Sequence, residues 1–591
     1  MQSSPQEREV VKRPITRAHL LEALVLLLLS LSATGAGEPL RVSVYCTAGD
    51  VHRYLTNRQA RERVLRTLEP LRVSHIFLEG RRGDEYVSNE QLAETRDYFE
   101  QKHIHCSGGI ATVPGGTFGT RQNMELGWLN WENSKTQSDV AGFFAKSAAQ
   151  FDELIVDDFF CTADTSQESI NAKGSRNWGE YRRELMVSLI KPIILDPART
   201  VRSKEKLIIK FPQWYDRFQV FGYDPPRMAA QFNQVWVGTE VRDPTTRRMG
   251  FVQPTEGYMN FRWLSSQAGD KVRGAWFDHI ECSAQNFLDQ AYQSVLAGAR
   301  ELTLFHLGDL MDGHPGDAAL SLRMPDLMAL AARVHGKQRS GIAFYKPPGS
   351  DGDENLYLAD YLGMLGMPLL PEANYPEKSS VAFLPVQAAA DPMLLGKMER
   401  HLNQGATLVL TPALVRALGE KGANLAGIRT GPVSALSLAD SAEISGNRVA
   451  LAPPLEIDAA LTADSSEVRI AVISAGHKIP LLTRKPERKG EILVLNVMTF
   501  SDKDFGKGGE WLLAPRQLGL PKIPQSLADA IRSSILPALG IRFHAPPGIA
   551  LVAFEKEVCI YSFLNEQVRF QLQENNLDLP AHQLFWRKKR N

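Results

Sequence analysis

The sequence predicts an α/β protein built on a (β/α)8 barrel, followed by a second α/β unit and a β-rich C-terminal region. Three observations carry this prediction. Eight short β-rich runs alternate with helical patterns between residues 40 and 306. No GxGxxG turn follows any run, as it would in a doubly wound open sheet. Several runs end in carboxylates, cations and aromatics, and the C-terminal rim of its strands is where such a barrel keeps its chemistry.

The expected strands cover residues 40–46, 73–78, 104–110, 154–158, 207–211, 235–238, 274–278 and 302–306. Between them, residues 89–101, 178–194 and 284–298 repeat apolar side chains at helical spacing. Eight such units in about 300 residues suit a single TIM barrel with insertions, expected over 38–336. The chain has 591 residues, 43% apolar and 23% charged, which is enough for about two to four domains. Lys+Arg and Asp+Glu both total 67. The net charge is therefore zero, and no global field draws the chain to nucleic acid or anionic lipid.

At the N-terminus, Lys12, Arg13 and Arg17 precede an apolar run over 20–31 and then small residues over 32–37. That order reads as a secretory signal over 1–36, cleaved near Ala36. The run is shorter than the roughly 20 apolar residues of a membrane span. The expectation is an exported protein, periplasmic or extracellular, with no stable span after cleavage. Cys46, Cys106, Cys161, Cys282 and Cys559 show no CxxC spacing, and an odd number leaves at least one thiol unpaired. They read as small buried hydrophobes, with one disulfide among the first four as the alternative.

The strand exits hold the candidate chemistry. Strand two ends in Glu79, strand four in Asp157 and Asp158, and strand five in Lys210 with Trp214 and Tyr215 close behind. Glu240 and Arg242 follow strand six, Asp278, His279 and Glu281 follow strand seven, and His306 ends strand eight. Aromatic faces beside carboxylates suit a sugar, whose C–H faces stack and whose hydroxyls bond to acids and cations. Side-chain alternation lets one of Asp157 and Asp158 face the barrel mouth, and the other caps the following loop. Asp158 and Glu240 lead as the carboxyl pair of a glycosidase, with Asp157, Asp278 and Glu281 behind them. Glu79, Lys210, Trp214, Tyr215, Arg242, His279 and His306 are the candidate sugar-binding residues. Plain structural alternatives stand beside these: Glu240 with Arg242 as a loop ion pair, and the two histidines as satisfied hydrogen-bonding groups. No HExxH motif or carboxylate-rich loop marks a metal site, and neither metal nor cofactor is expected.

After the barrel, residues 341–345, 381–384 and 407–411 read as strands and 356–366 and 393–404 as helices, an amidotransferase-like α/β domain over 340–440. No cysteine lies between Cys282 and Cys559 to serve as its nucleophile, so the domain is expected to do no chemistry. Residues 441–591 turn β-rich, with a hairpin expected from 550–554 and 558–563 and a helix around 526–535. This order of domains resembles that of the β-galactosidases of glycoside hydrolase family 42, and the segment 353–411 is similar to their middle domain. The phrases around Asp157-Asp158, Lys210-Phe-Pro-Gln-Trp-Tyr-Asp216 and Gly238-Thr-Glu-Val-Arg242 look like those of an uncharacterised bacterial glycosidase-like group. The chemistry departs from the family: where the resemblance implies an Asn-Glu pair after strand four, this chain has Asp157-Asp158, and Glu281 is most similar in position to the family nucleophile. The resemblance implies an exported glycoside hydrolase acting on an oligo- or polysaccharide or a glycoside. The rival is a catalytically inactive carbohydrate-binding or scaffold protein. In the family the middle domain helps build an oligomer, so the apolar face of Leu356, Tyr357, Tyr361, Leu362 and Leu365 serves either a homo-oligomer contact or the chain's own core.

Overall fold

The computed structural model describes residues 39–123, 126–246, 251–505 and 516–589. The expected signal over 1–36 lies outside them. The eight expected strands all form: β1 Arg41–Cys46, β2 His75–Glu79, β3 His105–Ile110, β4 Glu153–Val156, β5 Lys206–Phe211, β6 Gln234–Gly238, β7 Val272–Asp278 and β8 Glu301–Phe305. Each pairs in parallel with the strands before and after it, and β1 closes onto β8. Polar caps start the helices between them. Ser88 accepts from the Gln91 amide at the head of Asn89–Glu100, and Ser283 forms a capping box with Asn286 at the head of Ala284–Ala297.

Because side chains alternate along a strand, every second residue faces the barrel axis, and these residues stack in layers. A bottom layer is polar: Ser43, His75, Ser107, Glu153, Glu301 and Thr303 are all buried. A middle layer is a plug of large apolar groups, Tyr45, Phe77, Ile155, Ile208, Trp236 and Trp276. Glycine makes room for two of its rings. A Cβ on Gly109 would lie 2.5 Å from the Tyr45 hydroxyl oxygen, and one on Gly274 would lie 2.0 Å from the Trp236 ring. The top layer carries the site described below.

Beyond the barrel, one nine-stranded sheet joins four parallel strands, Ile342–Tyr345, Leu369–Glu372, Val381–Leu384 and Thr407–Leu410, to an antiparallel meander running from Leu436 to Leu495. The strand Gly490–Leu495 lies parallel to Thr407–Leu410 and closes the join. The boundary expected at 440/441 therefore falls inside a sheet, and the second unit runs on to about residue 500. The C-terminal region holds the expected hairpin, Ile549–Phe554 with Glu557–Ser562, and the helix Gln525–Ile535.

The barrel and its neighbour share a buried seam. The Tyr215 hydroxyl donates to Asp360 at 2.8 Å, the Tyr357 amide donates to Asp216 at 2.6 Å, and Arg217 meets Asp502 at 2.9 Å. Leu356, Tyr357, Tyr361, Leu362 and Leu365 are all buried within the chain, at 0–2% exposure. That apolar face is core, and it offers no surface for a subunit contact. The five cysteines are free, and all but Cys282 are buried. Among the described residues no helix is long and apolar enough to cross a membrane.

Candidate active site

The strand alternation that builds the plug continues one residue pair further and lifts Asp157, Lys210 and Asp278 into the barrel mouth. They line a cavity of about 190 Å³ with Asp158, Glu240, Arg242, Arg82, Gln213, Trp214, Trp276, Phe159, Ile280 and Phe305. That is below the roughly 300–1,000 Å³ of a site for a drug-sized ligand. Lys210 stands at its centre. Its ammonium contacts Asp158 Oδ2 at 2.6 Å and Glu240 Oε1 at 2.7 Å, and it lies 4.8 Å above the Trp276 ring. Two atoms so close to a shared third are no more than about 5.3 Å apart. Beside them, Arg242 pairs with Asp278 at 2.8 Å.

The expectation that only one of Asp157 and Asp158 faces the mouth is corrected: both line the cavity. Strand β4 ends at Val156, so strict alternation stops there. Asp157 still points inward, where its Oδ1 accepts from the Thr112 amide at 3.1 Å and hydroxyl at 2.6 Å and from the Phe159 amide at 3.2 Å. Asp158 has left the strand geometry and turns to Lys210.

Burial raises three of the carboxyls, each against a different cation. It raises Asp157 from 3.8 to about 7, against the pull of Arg82 and with a further push from Asp158. It also raises Glu240, where Lys210 opposes and Asp158 and Asp278 add, and it raises Asp278 against Arg242. For Lys210 burial works against the charge, but Asp158 and Glu240 outweigh it and the net shift is upward. A carboxyl raised in the folded state stabilises the fold most fully below its unfolded pKa, and that contribution is lost as pH rises through the folded value. For Asp157 the window runs from 3.8 to about 7, and a shift of that size corresponds to roughly 4 kcal/mol. Asp157→Asn keeps an acceptor for Thr112 and Phe159 but does not titrate. Chemical denaturation across pH should find the variant gaining stability relative to wild type from about pH 4 to pH 8; a constant difference would refute the assignment.

Lys210 is buried, at 2% exposure, between two acids. Lys210→Met leaves Asp158 and Glu240 facing each other without a cation, and removing one partner of a buried ion network costs about 3–5 kcal/mol. The expected result is a lower denaturation midpoint at neutral pH and partial recovery in acid, where protonation relieves the repulsion. A midpoint lowered equally at both pH values would point to lost packing instead.

Other predicted residues lie elsewhere. Glu79, fully buried, does not line the cavity; it accepts from the Tyr45 hydroxyl at 2.6 Å and holds Arg82, which does, by three bonds of 2.8 to 3.1 Å. Tyr215 faces away, into the interdomain seam. His279 stacks on Phe287 at 3.9 Å and meets Asp317 at 2.7 Å. Burial opposes its charge, but Asp309 and Asp317 raise its pKa to about 9. His306 binds Asp50 at 2.8 Å. Glu281 is half-buried in the loop beyond β7 and is not among the residues lining the cavity. Both histidines are thus held by acids, and neither lines the cavity. Sequence reasoning passed over Arg82, Gln213, Trp276 and Phe305. Trp276 and Phe305 follow the inward alternation of β7 and β8 and could have been found by it. Arg82 ends a two-residue strand, Arg81–Arg82, that follows β2 and pairs with Glu85–Tyr86, and a strand so short shows no periodicity.

Residues 31–322 match the family described as a probable glycosyl hydrolase, catalytic domain, and residues 337–500 match the second domain of the uncharacterized protein SSO3021. That protein, from Saccharolobus solfataricus, is 23% identical over 429 residues, which are 66% of this chain and 69% of its own. Among solved structures, the family 42 β-galactosidase Gan42B of G. stearothermophilus superposes with a TM-score of 0.61 at 10% identity, over 94% of this chain and 99% of that one. The α-L-fucosidase isoenzyme 2 of Paenibacillus thiaminolyticus gives 0.60 at 10% identity, over 94% of this chain and all of the other. With its barrel matching a probable glycosyl hydrolase catalytic domain, the chain has a family 42-like glycosidase fold.

Proposed function

We propose that the protein is an exported, retaining glycoside hydrolase in which Asp158 attacks the anomeric carbon and Glu240 protonates the leaving oxygen. The carrying observation is that the two carboxyls converge on one ammonium in one cavity, Asp158 Oδ2 at 2.6 Å and Glu240 Oε1 at 2.7 Å from Lys210 Nζ; a pair this close supports the retaining geometry, in which no room is kept between the carboxyls for a water. The division of labour follows from environment. Glu240 is 4% exposed and raised by burial, so it carries a proton to higher pH than an ordinary glutamate, as a general acid should. Asp158 is the more accessible, with 14% of its side chain exposed and an ammonium at 2.6 Å. In the first half-reaction Asp158 forms an ester to the sugar as Glu240 gives its proton to the departing alcohol. In the second, Glu240 takes a proton from water as that water displaces Asp158. Trp276, Trp214 and Phe305 offer apolar faces to the ring, and Arg82, Arg242 and Gln213 offer donors to its hydroxyls. The export reading rests on the residues of the N-terminal segment.

One observation favours a second reading, a carbohydrate-binding protein without catalysis: Lys210 neutralises both acids at once. A panel of aryl glycosides that includes β-galactosides, α-L-fucosides and β-mannosides, with products followed by NMR from the first turnovers, decides between them. Hydrolysis with retention supports the proposal. Inversion overturns the assigned roles, and binding without hydrolysis favours the second reading.

A further inference from the structure

The polar layer at the bottom of the barrel lies across the aromatic plug from the catalytic cavity, and it contains a ligand set that the proposed chemistry does not use. His75 and His105 open β2 and β3 and are direct partners in the parallel register. Glu153 opens the next strand, β4. Glu153 Oε1 lies 3.7 Å from His75 Nε2 and 3.8 Å from His105 Nε2, and the three ligand atoms all fall within 4.8 Å of one another. Ligands on a tetrahedral zinc with bonds of about 2.0–2.1 Å stand roughly 3.3 Å apart, so closing the set takes side-chain movements of an ångström or less.

Two further features fit a cation. The second nitrogen of His75, Nδ1, lies 2.7 Å from Glu301 Oε1, which is the carboxylate–histidine arrangement that fixes the tautomer of a metal-binding imidazole and turns Nε2 outward as the ligand. Glu153, with 9% of its side chain exposed, accepts from the Ser107 hydroxyl at 2.8 Å, and among the described residues its ion-pair partners are the same two imidazoles. A buried carboxylate held by a hydroxyl and two titratable rings lacks the fixed charge that usually compensates such a group, and a dication supplies it. His105 is 40% exposed on its side chain, so the set opens to solvent and leaves a position for water.

We propose that His75, His105 and Glu153 bind one zinc-like divalent transition metal at the N-terminal face of the barrel, with Glu301 orienting His75. Two nitrogens and one carboxylate oxygen are a zinc-type donor set. The bottom face of such barrels serves stability rather than catalysis, so the ion ties three adjacent strands together. The three ligands come from three strands and form no local motif, so residue order gives no sign of the set. Ser107, whose hydroxyl also lies 2.8 Å from His75 Nε2, holds the set in the metal-free state and gives up those contacts on binding.

The test uses the full chain without a histidine tag, stripped by chelator and titrated with zinc chloride alone. The expected result is one zinc per chain by mass spectrometry after dialysis and a melting temperature raised by about 2 °C at hundred-fold saturation. His105→Ala and Glu153→Gln should each weaken binding at least about tenfold. Cobalt(II) substitution should give the intense visible bands of a four-coordinate site in the wild-type protein, a readout that stands even if a variant folds poorly. Absence of saturable zinc, wild-type affinity in both variants, or a weak six-coordinate cobalt spectrum would overturn the proposal in favour of a self-satisfied hydrogen-bonded layer.

Discussion

Glu240→Gln should lower kcat/KM by about 10²–10⁴-fold on glycosides with poor leaving groups, the range over which a positioned general acid contributes. The loss should shrink for dinitrophenyl glycosides, whose leaving group departs without a proton. The amide oxygen of Gln still accepts from Lys210, so the fold is expected to persist. The pH profile provides a second check. An acid must be protonated to act, so activity falls as pH rises through the pKa of Glu240, which burial places above the ordinary glutamate range. That alkaline limb should disappear in the variant. If the loss is the same for good and poor leaving groups, Glu240 is not the proton donor.

The second large effect is at Asp158. Asp158→Asn preserves an acceptor for Lys210 but removes the nucleophile, and loss of a covalent catalyst is expected to cost at least about 10³-fold in kcat. A smaller side chain offers a positive result as well. With Asp158→Gly, added azide should restore turnover by entering the vacated face, and the product should be a glycosyl azide of inverted anomeric configuration. If Asp158→Asn retains near wild-type rates while Asp157→Asn does not, the nucleophile is the inward-facing neighbour and the roles assigned on β4 exchange.

The barrel was legible because its signal is periodic. The apolar residues of β4 and β5 mark their strands from residue order alone, and the carboxylates at the strand exits follow from the same count. Past a strand end that count fails. Asp158 turns inward beside Asp157 because the backbone has left the strand, and Tyr215 turns away because the seam with Asp360 captures it. The second unit was misdivided for a related reason: Gly490–Leu495 is distant in sequence from Thr407–Leu410, and parallel pairing across so long a connection leaves no local trace. The bottom-layer histidines were passed over because each belongs to a different strand, and their meeting is a property of the closed barrel.

The turn after β5 faces two ways. Gln213 and Trp214 form part of the cavity wall, while Tyr215, Asp216 and Arg217 grip the neighbouring unit through Asp360, Tyr357 and Asp502. Five consecutive residues thus bind the shape of the candidate pocket to a domain that holds none of the candidate catalytic groups. In evolutionary terms the two units share one mutational fate: a substitution in the second domain that shifts Asp360 is felt in the pocket wall, and recombination at the domain joint would deliver a barrel with half of its turn unmoored. A constraint on the cavity wall therefore extends into a domain that contributes no group to the cavity.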